Sequence, residues 1–196
     1  MRTQYVSEGV LVRPFELPST NFLSSRYYDG RAIVDQLDAP AAAHHWMRVL
    51  HREIAFPAVP FSPSDEQLSG LRALRDTVED AYRATVADEI HGTADGLRDA
   101  LAGLRITPAL TASDGRLVAT WSPRPQDPFE ELTAEILLSA VRAVASHDAT
   151  RLNRCHAPRC VLYFTRRNSR QHWCSDVCGN RARVARATRA AATESS

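Results

Sequence analysis

The sequence contains no lysine: all 24 basic side chains among its 196 residues are arginine. A GC-rich coding bias is sufficient to give that pattern, which therefore points to no function. No run approaches the ~18 to 20 consecutive apolar residues that a membrane-spanning helix requires. Residues 1–15 lack a basic segment followed by an unbroken apolar stretch, so no secretory signal is expected, and a cytoplasmic location is. There is no glycine-rich phosphate loop and no G-x-S-x-G. His44, His45 and His51 share a stretch without the H-E-x-x-H pattern of a zinc enzyme, and read as surface or packed histidines. Glu130, Glu131 and Glu135 fall where a helix start favours acidic residues, so no catalysis is assigned to them. These absences argue against an enzyme. No internal repeat is visible, and residues 1–154 contain no cysteine.

What is present is unevenly distributed. Apolar residues make up 44% and charged residues 24%, ordinary for a chain that buries a core in one large or two modest domains. Residues 151–196 carry ten Arg against Asp176 and Glu194, a net +8, whereas residues 1–150 carry 14 Arg against 21 Asp and Glu, a net −7. An acidic body joined to a basic end points to an anionic partner for that end.

The body reads as mostly helical. Apolar spacing predicts helices over Ala41–Ile54, over Asp65–Ile90 behind a Ser64/Gln67 capping box, over Asp95–Leu104, and from Pro128 to about Ser146 with Asp127 as N-cap. Asp114-Gly115 between Leu110–Ala112 and Leu117–Trp121 predicts a β-hairpin. The expected division is a body over 1–148 and a small domain over 149–196.

All four cysteines lie in the basic end, as Cys155-x4-Cys160-x13-Cys174-x3-Cys178. Two close pairs separated by a hairpin-length insert supply the four thiolates of a tetrahedral zinc site. Val161–Phe164 reads as a strand, Gln171–Trp173 as the returning strand, and Ser175–Ala192 as a helix with Cys178 in its first turn. That arrangement resembles a treble-clef zinc finger. So short a segment cannot offset its chain entropy by apolar burial alone. Structural zinc contributes roughly 10 to 16 kcal/mol of apparent binding free energy in small fingers. Two disulfides fit poorly without a secretion signal, and neither pair has the C-x-x-C spacing of a redox motif. His156 and His172 are substitute ligands in principle, but four cysteines fill the shell and the histidines read as bystanders.

Cys178-Gly179-Asn180-Arg181 spells CGNR, with Trp173 just before the third cysteine and arginines along the helix. The run closely resembles the CGNR zinc finger family, whose members carry an upstream, mostly helical ABATE domain. The family's opening pattern is an apolar segment ending in Asn-Thr, then an arginine and an aspartate–leucine pair. Here the counterparts are Glu16-Leu17-Pro18-Ser19-Thr20-Asn21, Arg26 and Val34-Asp35-Gln36-Leu37, and Asn-Thr is not preserved as such. The resemblance is close over 154–190 and loose over 1–150. It implies a stress-induced transcription regulator that binds DNA, with the body sensing a small-molecule effector or mediating dimerisation. The fold class expected is α+β: a mostly helical N-terminal domain with a small β-hairpin, plus the C-terminal zinc finger of hairpin and helix, holding one structural Zn2+.

The residues point the same way without the family. On a helical wheel Arg183, Arg186 and Arg189 share one sector, while Val177, Val184, Ala187 and Ala191 lie roughly opposite, predicting that the latter pack on the hairpin. Arg166, Arg167 and Arg170 add charge at the hairpin tip. Guanidinium groups suit phosphates and guanine edges, and an arginine-faced helix has the width a major groove admits. Asn180 suits either an adenine edge or the bracing of the helix start; Arg181, off the main face, suits a bridge to the hairpin or to a phosphate. The expected partner is double-stranded DNA, read by a homodimer over two half-sites. A protein-interaction module is the alternative. RNA binding is another, but Tyr163, Phe164 and Trp173 read as the finger's core rather than as stacking platforms.

Overall fold

A computed structural model describes residues 3–56, 59–89 and 94–194. The chain opens with two hairpins around a short helix: β1 (Tyr5–Ser7) with β2 (Val10–Val12), α1 (Pro18–Leu23), then β3 (Arg26–Tyr28) with β4 (Ile33–Asp35). Neither hairpin was expected, yet each has a local cause. Glu8 and Gly9 both take positive φ (47° and 76°), the geometry of a tight two-residue turn. In the second, Asp29 Oδ1 accepts from the N–H groups of Arg31 and Ala32 at 2.7 and 2.8 Å and closes the turn.

Long helices follow. α2 (Pro40–Ile54) starts on a proline at its first position and ends at Ala55 in the left-handed region. α3 (Asp65–Ala87) starts on the expected capping box: Ser64 Oγ accepts from Gln67 N at 3.1 Å, and Ser64 N donates to Gln67 Oε1 at 3.0 Å. It stops at Ala87 because Asp88 turns left-handed at φ 59°; Ile90 lies outside the described residues. α4 (Ala94–Ala102) precedes the predicted hairpin, β5 (Thr107–Ser113) with β6 (Arg116–Ser122), turned by Asp114-Gly115. α5 (Pro128–Ala145) is capped by Asp127, whose Oδ1 accepts from Glu130 N at 2.9 Å. A 3-10 turn (His147–Arg151) then leads into the finger: β7 (Leu152–Arg154), β8 (Tyr163–Thr165) and α6 (Asp176–Glu194). Among the described residues no helix is long and apolar enough to cross a membrane.

Two apolar cores meet across β2. The larger is built from α1, α2, α3 and α5 around Phe22, Trp46, Leu71, Val78 and Ile136, and it takes in Val10, Val12 and the finger's Leu152 and Tyr163. The smaller surrounds the cysteines and joins Leu162 and Phe164 of the finger to Leu11 and Tyr27 of the body. Strand alternation explains the sharing: β2 turns Val10 and Val12 one way and Leu11 the other. Within the large core, burial pushes the Tyr82 phenol up to about 12, so it remains neutral. It hydrogen-bonds Ser19 and Thr20 at 2.8 and 3.0 Å.

Two local expectations for the finger need correction. Gln171–Trp173 forms no strand; β8 pairs with β7, in register Leu152↔Thr165 to Arg154↔Tyr163. The Gln171 side chain takes the place of a ladder, its Oε1 accepting from Arg167 N at 2.9 Å and its Nε2 donating to the Trp173 carbonyl at 3.0 Å. The inward face of α6 is also different. Val177 and Val184 are 70% and 65% exposed, and Ala187 and Ala191 are exposed too, whereas Cys178, Gly179 and Ala182 are buried. Metal geometry sets the rotation: the face that carries the ligand must turn inward, and the apolar residues off that face follow it into solvent.

Candidate metal centre and nucleic-acid interface

Cys155 directly follows β7 and Cys160 precedes β8, so the six residues from one to the other form a knuckle closing that hairpin. Two backbone bonds shape it, Cys155 N to Leu162 O and Cys160 N to Ala157 O, both 2.9 Å. Cys174 and Cys178 approach from the loop before α6 and from its first turn. Ser175 caps that helix, its Oγ accepting from Cys178 N at 3.3 Å.

The four Sγ atoms lie within 4.8 Å of one another. Three separations are 3.4 Å (Cys174–Cys178), 3.8 Å (Cys160–Cys178) and 3.9 Å (Cys160–Cys174). A tetrahedral zinc with bonds of about 2.3 Å spaces its sulfurs about 3.8 Å apart, whereas a disulfide needs about 2.05 Å. The donor set fits zinc and not disulfides, and all four cysteines are free. His156 and His172 are exposed and stand outside the cluster.

Electrostatics agree. Among the thiols alone, hydrogen bonding to Cys160 brings Cys155 down to about 7, and bonding to Cys155 draws Cys178 down as well. Contact with Cys155 pushes Cys160 and Cys174 up. Crowded, largely buried sulfurs cannot all ionise together; a dication makes the thiolate of each favourable and releases its proton.

The CGNR motif now has a physical content. Cys178 is a ligand. Gly179 leaves room for the indole of Trp173: a Cβ there would stand 3.1 Å from Trp173 Cδ1. Asn180 Oδ1 accepts from the guanidinium of Arg183 one turn on. Arg181 is half-buried; its Nη2 donates to Cys178 Sγ at 3.0 Å, and its guanidinium lies 4.8 Å from the ring centre of Tyr28 in the body. It thus supports the sulfur charge and bridges body to finger by a cation–π contact.

The other basic residues fall into two groups. Arg183, Arg186 and Arg189 are exposed along α6, and Arg167 and Arg170 are exposed at the loop after β8. Arg167 also lies 4.7 Å from the ring centre of Phe15. Arg166 is half-buried, its Nη2 donating to the Thr150 carbonyl at 2.7 Å. Phe164, 1% exposed, and Trp173, half-buried against α6, lie in the finger's core as expected, whereas Tyr163, 2% exposed, enters the larger core of the body instead.

Sequence reasoning missed the residues that weld finger to body. Arg13, 1% exposed, donates to the Tyr163 carbonyl at 2.7 Å and to Glu16 at 3.1 Å. Glu16 in turn accepts from Thr165 N at 3.1 Å, and Asn21 Nδ2 donates to the carbonyls of Arg13 and Glu16. Asn21 belongs to the segment that stands where the family has Asn-Thr, and here it braces this junction. An arginine followed three residues later by a glutamate was the available signal.

Comparison with known proteins follows the same division of the chain. The family model of the CGNR zinc finger matches residues 151–190. That of ABATE, described as "putative stress-induced transcription regulator", matches residues 16–147. No curated protein matches the chain. With a family model spanning more than half its length, the chain belongs to the ABATE family and carries a CGNR zinc finger that holds one structural zinc.

Proposed function

We propose that this chain is a non-enzymatic, zinc-dependent transcription regulator that binds double-stranded DNA through α6 and the loop after β8. The observation that carries the reading is the exposed row Arg183, Arg186 and Arg189 on a helix whose first turn is anchored by a zinc ligand. Anchoring matters because it fixes a cationic helix at the surface in one orientation, so phosphate contacts form without ordering a flexible tail first. Arg167 and Arg170 extend the basic surface. Asn180 is held by Arg183 and is oriented for a base edge only when that contact opens. Arg166 and Arg181 are engaged inside the protein and act on DNA indirectly, by holding the finger in place.

The zinc is structural in this account. It supplies the crosslink that lets a short segment keep its shape, while Cys155, Cys160, Cys174 and Cys178 hold it and Arg181 balances charge at one sulfur. The body senses an effector or brings two copies together. Leu110 and Leu117, 72% and 74% exposed and on one face of β5–β6, support a homodimer. Light scattering that finds monomer with and without DNA would remove it.

A protein-interaction module is the second reading, favoured by exposed Val177 and Val184 on α6. The pair is separated by Arg183→Ala plus Arg186→Ala. The DNA reading predicts at least a tenfold loss of affinity for mixed-sequence duplex at unchanged zinc content. Unchanged affinity would move the function to the apolar side of the helix.

A further inference from the structure

Beside the zinc knuckle lies an open cleft of about 480 Å3, bordered by the metal ligand Cys160 and separate from the exposed arginine row of α6. Three arginines from two parts of the fold converge on it: Arg31 from the β3–β4 turn of the body, Arg154 from the end of β7, and Arg159 from the knuckle. Tyr28 forms one wall, and Ile33 and Val161 supply apolar surface. Among the described residues none of the three arginines makes an ion pair. Asp29, on the same turn as Arg31, directs its Oδ1 to the backbone N–H groups of Arg31 and Ala32 instead.

Like charges gathered in a concavity repel unless an anion joins them. A solvated arginine on a convex surface spreads away from its neighbours; these three face a common space of the size that takes a small ligand. Arg159 adds an independent sign. It holds φ at 62°, in the left-handed region that glycine and asparagine enter with least strain. A long cationic side chain kept at a strained position marks a position where the side chain itself is used. Its Nη1 also reaches the Tyr28 hydroxyl at 3.5 Å, and its guanidinium lies 5.8 Å from that ring centre, which aims it along the wall of the cleft.

We propose that this cleft is a phosphate-binding site built jointly by body and finger. Three guanidinium forks are matched to the tetrahedral oxygens of a phosphate group, and the apolar surface and Tyr28 ring accommodate what the phosphate is attached to. The phosphate is carried either by a phosphorylated small molecule or by a DNA backbone passing the knuckle. Because Arg31 belongs to the body and Arg154 and Arg159 to the finger, occupancy ties the two parts together. The site stands independently of the assignment of DNA binding to α6.

The test uses the zinc-loaded full chain and inorganic phosphate, followed by 31P line broadening at constant ionic strength, with a parallel titration of duplex DNA across salt concentrations. Saturable broadening that weakens at least tenfold in the combined variant Arg31→Gln, Arg154→Gln, Arg159→Gln, with the DNA salt slope unchanged, assigns the site to a phosphorylated small molecule. A log–log slope for DNA shallower by about one in that variant assigns it to a backbone phosphate. Arg183→Gln plus Arg186→Gln is the control: it weakens DNA binding if α6 is the DNA surface and leaves phosphate broadening as in the parent. If the triple variant keeps its zinc and changes neither readout, the proposal is overturned.

Discussion

Arg13 reaches from the turn after β2 into the finger, where its guanidinium meets the Tyr163 carbonyl, Ser24 Oγ and Glu16. Removing one member of a buried ion pair leaves the other charge without compensation, which costs about 3 to 5 kcal/mol. Arg13→Met is therefore expected to lower unfolding stability by about 3 kcal/mol, near the low end because Glu16 keeps its bond from Thr165 N. Urea denaturation of the zinc-loaded protein measures it, and a loss below about 1 kcal/mol would show that the junction is not held by this pair. A second pair carries a pH signature. Burial alone would raise the Asp35 carboxyl, but the two-pronged contact from Arg75 at 2.6 and 2.7 Å, the Leu37 N–H at 2.9 Å and the nearby charge of Arg26 together outweigh it and hold the carboxyl below its ordinary value. A depressed carboxylate adds stability above its unfolded pKa of about 3.9 and loses it as pH falls through the lower folded value. Asp35→Asn should thus be destabilising at pH 7, with the gap to the parent closing below about pH 4. A gap of constant size over that range would contradict the assignment.

At the level of elements, the rotation of α6 is the feature with most consequence. Ala182 is 5% exposed, whereas Val184 is 65% exposed. Ala182→Gln is expected to destabilise by about 1 to 3 kcal/mol through overpacking, and Val184→Gln to change stability by less than about 0.5 kcal/mol. Thermal denaturation of the zinc-loaded variants separates the two, and equal effects would mean that the helix face is misassigned. Helical periodicity showed the arginine row but not this rotation. A wheel ranks faces by hydropathy, and here a metal ligand with small neighbours, Gly179 and Ala182, outranks two valines. The capping box at Ser64, the Asp127 cap and the Asp114-Gly115 turn were legible because each signal lies within a few residues. The β3–β4 hairpin carries the same Asp-Gly signal at Asp29-Gly30, within strands of three residues too short for periodicity to register. The pairing of β7 with β8 was illegible for another reason: its closure depends on the knuckle, and what looked like a returning strand is held by a side chain, Gln171. The four ligands, by contrast, were fully legible, since cysteine spacing reports metal chemistry directly.

For the molecule as a whole, body and finger share side chains in both cores. Leu152 and Tyr163 enter the large core, and Leu11 and Tyr27 enter the one around the cysteines. Metal removal is therefore expected to lower the stability of the entire chain. Calorimetry should find one cooperative transition for the zinc-loaded protein, shifted to lower temperature by chelation; a body transition unmoved by chelator would mean that the two parts fold separately. The charge distribution sets the remaining expectation. A body of net −7 turns away from a polyanion while the +8 end faces it, so binding is oriented before any specific contact forms. The proposed DNA surface is the zinc-anchored arginine row, and titrating zinc-loaded protein into labelled duplex of mixed sequence across salt concentrations probes it without further assumptions. Contacts with about four to six phosphates predict a log–log slope near −4 to −5, with binding lost on chelation. Absence of binding at low salt, with zinc shown to be in place, would mean that α6 is not a DNA surface.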